Sequence, residues 1–212
     1  MNTWRKVGCC LVAALAAFGT RAEVYYVNAG ASGGSGDGSS WENAAATLPA
    51  SIPSGVTEIW ATTNELRGAS YGYTGTLTIR GGFVGTENAP AERVTGLRTV
   101  INGHDEDANC LNFTAACALT LESMKLTHAG ERALVFGANL GSRALAIRDC
   151  DFVDNGLMWD SQRDSAGGRA ILVSNGGGWC SFLIQGCTFV GNRKEIADSD
   201  GNHNAGGAAV YV

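Results

Sequence analysis

The sequence predicts an all-β chain whose short strands stack into a parallel β-helix, and three observations carry that expectation. First, Leu145–Asn155 and Phe182–Asn192 nearly repeat each other: one offset of 37 residues aligns their Ile, Cys, Phe, Val and Asn without a gap. A weaker third copy starts at Leu119, with Leu121, Met124 and Leu126 where the others have Ile, Cys and Phe. Self-similarity at a period of 20–50 residues marks a stacked repeat. Second, apolar runs too short for helices alternate with Gly, Asn and Asp turns, and no helical period lies between them to build βαβ units. Third, 30 Gly, only 3 Pro and 17% charged residues among 212 suit a turn-rich β chain rather than a helical bundle or a disordered tail.

The N-terminus reads as a leader. Arg5 and Lys6 precede an apolar run from Val7 to Gly19, and Thr20-Arg21-Ala22 supplies small residues for cleavage. The run is too short to span a membrane, so residues 1–22 are expected to be a cleaved secretory signal peptide. Lys6 stands where a lipoprotein signal would want Leu, which argues against a lipid anchor at Cys9 or Cys10. Without the leader the chain keeps 12 basic and 20 acidic residues, a net charge of −8 and the wrong sign for binding nucleic acid. It also keeps five cysteines, Cys110, Cys117, Cys150, Cys180 and Cys187, too irregular for a disulfide framework and with no C-x-x-C pair for zinc. Cys150 and Cys187 share a repeat position, and a β-stack sets them about 4.8 Å apart. Two buried thiols or a disulfide both fit that spacing.

Residues 23–57 are expected to form an N-terminal unit. Val24-Tyr25-Tyr26-Val27 is a run of strong β formers, followed by a Gly/Ser loop from Gly30 to Gly38. Ser39 and Glu42 have capping-box spacing ahead of Ala44-Ala45-Ala46-Thr47-Leu48, so a short helix is expected there, stopped by Pro49 and Pro53 and covering the first open sheet edge. Residues 58–212 are expected to be the coils. One strand series runs through Ile59-Trp60, Leu77–Ile79, Val100-Ile101, Leu119–Leu121, Leu145–Ile147 and Phe182–Ile184. A second runs through Cys110–Phe113, Leu134–Phe136, Ile171–Val173 and Val210–Val212. Asn155 over Asn192 is expected to form a side-chain ladder and supply the left-handed turn, and Phe152 over Phe189 an internal aromatic stack. The chain stops on a strand at Val212, so the coils are expected to continue in a longer parent protein.

These residues also carry a resemblance. Val24–Asn28 followed by the glycine-rich stretch Gly33–Trp41 resembles the opening of exported bacterial β-helix proteins, and Leu77–Glu87 resembles their next coil. Cys187–Asn192 with Gly206–Val212 is similar to the F-x-x-N and GGAI repeats of polymorphic outer-membrane proteins. The mature chain is thus similar to the right-handed parallel β-helix, pectin-lyase-like superfamily. That resemblance implies the fold and leaves activity open among lyases, hydrolases, adhesins and passenger domains.

Two insertions fall at the same point of successive coils, Gly156–Ala166 after Asn155 and Arg193–Ala205 after Asn192, and stacking brings them out on one side. Trp159, Asp160, Asp164 and His203 are the carbohydrate-binding candidates there, an aromatic platform with polar groups around it. An eliminative lyase needs a base beside the uronate carboxylate, for which Arg163, Arg193 and Lys194 are the candidates. It also needs Ca²⁺ held by carboxylates, for which Asp198 and Asp200 are the candidates. At the equivalent positions 148/185, 149/186 and 151/188 the pairs are Arg/Gln, Asp/Gly and Asp/Thr, so charge is not carried from coil to coil. The expectation is therefore a monomeric secreted or cell-surface β-helix with a structural, adhesive or carbohydrate-binding role towards a polysaccharide or host glycan. The alternative is a Ca²⁺-dependent, pectate-lyase-like enzyme acting on acidic polysaccharide.

Overall fold

A computed structural model describes residues 23–138, 143–156, 170–175, 180–192 and 209–211. Residues 1–22, expected to be a leader, lie outside them. Among the described residues no helix is long and apolar enough to cross a membrane. After β1 (Glu23–Val27) the chain visits three parallel sheets in strict rotation. The first circuit is β2 (Val56–Thr62), β3 (Glu65–Arg67) and β4 (Ala69–Tyr71), and the second is β5 (Thr76–Phe83), β6 (Thr99–Asn102) and β7 (Asn109–Phe113). The third is β8 (Ala118–Glu122), β9 (Met124–Thr127) and β10 (Arg132–Ala138). The fourth is β11 (Arg143–Arg148), β12 (Asp151–Val153) and β13 (Ile171–Asn175), and the fifth is β14 (Cys180–Gln185), β15 (Thr188–Val190) and β16 (Val210–Tyr211). The first sheet is β1-β2-β5-β8-β11-β14, the second β3-β6-β9-β12-β15, the third β4-β7-β10-β13-β16. Such all-parallel stacking is compatible with a β-solenoid.

Register explains why these sequences stack. Ile59, Ile79, Leu121, Ile147 and Ile184 pair along the first sheet, and Leu66, Ile101, Leu126, Phe152 and Phe189 along the second. Tyr71, Phe113, Phe136 and Val173 pair along the third. Each row points inward, so one core runs between the sheets, and each fully buried Leu, Ile or Phe contributes about 1.5–3 kcal/mol. Phe152 and Phe189 stack 5.0 Å apart with rings 4° from parallel. The 37-residue repeat is thus a repeat of registered partners.

Three expectations change. Val100-Ile101 belongs to the second sheet, pairing with Leu66 and Leu126 rather than with Leu77 or Leu119. The step from Leu77 to its partner Leu119 is therefore 42 residues in a single circuit, against 20 from Ile59 to Ile79. The N-terminal helix does not form. The Ala45 N–H donates to the Tyr26 carbonyl and its own carbonyl accepts from Asn28, so Ala45 makes an extended bridge to β1. Pairing with a sheet edge outweighs the helix propensity of three alanines. Finally, the Asn ladder forms but the left-handed residue is its predecessor, Asp154 (φ 51°) and Gly191 (φ 66°). Asn155 is buried and donates to the Leu126 carbonyl (3.0 Å) and Asn192 Oδ1 (2.8 Å), while Asn192 donates to the Phe152 carbonyl (2.8 Å).

Candidate functional site

All nine site residues expected from sequence, Trp159, Asp160, Arg163, Asp164, Arg193, Lys194, Asp198, Asp200 and His203, lie outside the described residues. Their anchor points are described. Asn155 contacts Asn192 before the two insertions, and Ile171 pairs with Val210 after them, so the loops leave and re-enter from stacked positions.

Within the described residues a different insertion organises the surface. The corner between the first and second sheets is one or two residues long in every circuit except the second, where residues 84–98 intervene between β5 and β6. Glu87 fixes this loop. Its buried carboxylate accepts from the backbone N–H groups of Val84 (2.8 Å), Gly85 (2.9 Å) and Thr86 (2.9 Å). Burial pushes the Glu87 carboxyl up, but these donors outweigh burial and hold it below the usual carboxylate range. The Glu87 carbonyl accepts from Trp41 Nε1 at 2.8 Å, which ties the N-terminal loop to the insertion.

Beneath the loop, one outward position of the first sheet reads Tyr26, Trp60, Arg80, Glu122, Arg148 and Gln185 across six registered strands. Its first part is aromatic. The Trp60 ring stacks on Phe83 at 4.8 Å, and Tyr26 meets Trp41 edge-on at 4.8 Å. Its second part is charged. Arg80 bridges Glu58 (3.2 Å) and Glu122, and Arg93 from the insertion reaches Glu122 at 3.3 Å with its guanidinium 5.3 Å from the Phe83 ring centre. Arg93 also donates to the Gly81 carbonyl (3.0 Å) and Ser123 Oγ (3.3 Å), so it is a fastening for the loop. Opposite charges therefore do alternate from Arg80 to Glu122 to Arg148 and end at Gln185, a ladder invisible in the comparison of the last two coils alone.

The insertion leaves a cleft on each side. Between it and β1–β2 is a cleft of about 460 Å³ lined by Glu23, Tyr26, Ser39, Glu58, Trp60 and Asn88. On the other side, Arg93, Arg98, Thr95, Ser123 and Asp149 line one of about 330 Å³. The first combines Tyr26 and Trp60 with the Glu23 carboxylate, a hydroxyl and an amide, a set of directional acceptors and donors suited to a polyol, while its other carboxylate, Glu58, already accepts from Trp60 Nε1 (2.7 Å) and Arg80 (3.2 Å). The second offers arginines already engaged, Arg93 with Glu122 and Arg98 with Asp151 at 3.4 Å.

Elsewhere, the acidic turn Asp105-Glu106-Asp107 is tied to the first circuit: Asp107 accepts from Arg67 Nε (2.8 Å) and Nη2 (3.0 Å). Those hydrogen bonds hold the Asp107 carboxyl low. Among the described residues no group of three His, Cys, Asp or Glu is placed to hold a metal ion.

The sequence signal for this site was the 42-residue step between Leu77 and Leu119, against 20 in the preceding circuit. Comparison with known proteins returned no matching family model, no matching curated protein and no matching solved structure.

Proposed function

We propose that the protein is an exported right-handed parallel β-helix, of the pectin-lyase-like kind, that serves at the cell surface or outside the cell as a carbohydrate-binding structural or adhesive module. Right-handed crossovers are the rule for parallel strands joined within a sheet. Three parallel strands per circuit with inward rows of Leu, Ile and Phe support the β-helix reading. The leader-like residues 1–22 support export. The observation that carries the binding role is the cleft of about 460 Å³ in which Glu23, Ser39, Glu58 and Asn88 surround the Tyr26–Trp60 floor.

Carboxylates accept from sugar hydroxyls, and an amide and a hydroxyl both donate to and accept from them, with the Tyr26 ring supplying apolar surface beside them. The outer ladder next to the cleft is closed on itself by ion pairs, which makes it a rigid mount rather than a reacting centre. Direct titration of the full chain with soluble oligosaccharides tests this reading. Glu23→Ala with Asn88→Ala removes two exposed rim groups without touching the core, and a weakening of binding of about tenfold is expected. Binding that is unchanged in this double variant, or release of ultraviolet-absorbing unsaturated uronides from polygalacturonate with Ca²⁺, would contradict it.

A further inference from the structure

We propose that Cys150 and Cys187 form a disulfide that staples the fifth circuit to the fourth, made by exchange with a low-molecular-weight disulfide such as oxidised glutathione. Both are thiols in the structure. The residues on either side are in register, Ile147 with Ile184 and Asp151 with Thr188, which sets Cys150 directly beneath Cys187. The Thr188 N–H donates to the Cys150 carbonyl at 2.9 Å, so the two backbones are hydrogen-bonded at this point. Registered strands lie about 4.8 Å apart, inside the 4.4–6.8 Å Cα separation of natural disulfides. Both side chains turn inward in the same way: Cys150 Sγ lies 3.2 Å from the Arg148 carbonyl and 3.6 Å from that of Leu121. Cys187 Sγ lies 3.3 Å from the Gln185 carbonyl and 3.7 Å from that of Ile147.

Accessibility and acidity divide the roles. Cys150 is fully buried, while Cys187 is partly exposed. Interaction with the neighbouring Cys150 thiol draws the Cys187 thiol down to about 7, and burial pushes Cys150 well up. The Cys187 thiolate therefore attacks the small disulfide, forming a mixed disulfide and expelling one thiolate. Cys150 then gives up its proton, its sulfur attacks the Cys187 sulfur, and the second small thiolate leaves. Two protein thiols are oxidised and one small disulfide is reduced to two thiols. Cys110 offers no competing route: its thiol is buried between the Ile101 and Thr127 carbonyls, and burial pushes it up to about 12.

The test is peptide mapping of the full chain after incubation with oxidised glutathione, acid quenching, unfolding and alkylation. The expected result is one linked peptide pair, Cys150 with Cys187, with Cys110 and Cys117 recovered alkylated. In Cys150→Ser, Cys187 is expected to stop at the glutathione mixed disulfide, and in Cys187→Ser, Cys150 is expected to stay a thiol. Recovery of Cys150 and Cys187 as alkylated thiols from the folded, oxidant-treated chain would overturn the proposal. So would a stable mixed disulfide at Cys187 in the unsubstituted chain, or a link from Cys187 to Cys180.

Discussion

Glu87 shows how much a single side chain decides at the residue scale. One buried carboxylate gathers three consecutive N–H groups that would otherwise face a turn unpaired, and through its own carbonyl it also anchors Trp41. Hydrogen bonds to a charged acceptor are worth about 1.5–3 kcal/mol, so Glu87→Gln is expected to cost about 2 kcal/mol near neutral pH. The carboxyl titrates lower in the folded chain than in the unfolded one, so its contribution is complete above the ordinary Glu range and is lost as the pH falls through the lower folded value. Urea unfolding across a pH series checks this: the gap between wild type and Glu87→Gln is expected to close only on acidification. Asn155 is the second case. Removing a buried side chain that accepts from the Ala129 N–H (3.1 Å) and donates to the Leu126 carbonyl (3.0 Å) takes a hydrogen-bond partner from each of these backbone groups. Asn155→Ala is expected to cost about 2–4 kcal/mol in the same unfolding experiment.

At the scale of elements, the tight corners dictate sequence more strongly than the strands do. A Cβ on Gly68, between β3 and β4, would lie 2.2 Å from the Cys110 carbonyl oxygen and 2.9 Å from its carbon. Both are backbone atoms of the next circuit, so nothing flexible can yield. Gly68→Ala is expected to destabilise the chain by about 3 kcal/mol, the upper end of overpacking costs, read as a lower melting temperature. This dependence on corners also explains what the sequence revealed. The 37-residue repeat was legible because β11–β12 and β14–β15 keep one spacing and one corner length. Val100-Ile101 was placed in the wrong sheet because a short Val-Ile run looks the same on any of the three faces, and only the corner lengths tell them apart. The helix was expected because Ser39, Glu42 and the alanines satisfy local rules, whereas Ala45 answers to a non-local one, pairing with β1. Glu87 ends the Leu77–Glu87 stretch whose resemblance speaks for the fold alone, and its own role depends on a turn geometry that Gly85 and Thr86 leave open until the loop is folded.

At the scale of the whole molecule, the three-sheet rotation divides the surface by corner. Insertions at the corner between the first and second sheets build the aromatic cleft beside β1 and β2, while those at the corner after the second sheet start from the Asn155–Asn192 ladder. Cutting the ladder of outward charges tests whether the first corner is a rigid mount. Arg80→Met removes the bridge between Glu58 and Glu122, leaving two carboxylates on neighbouring strands. Oligosaccharide binding is expected to weaken severalfold in this variant while the circular dichroism stays that of a folded β chain. The most direct test of the account is amide chemical-shift mapping of the full chain during titration with a soluble oligosaccharide. Shifts that saturate and cluster at residues 23–26, 39, 58–60 and 84–90 are expected. Shifts confined to residues 157–169 and 193–208, or none with any glycan offered, would contradict it.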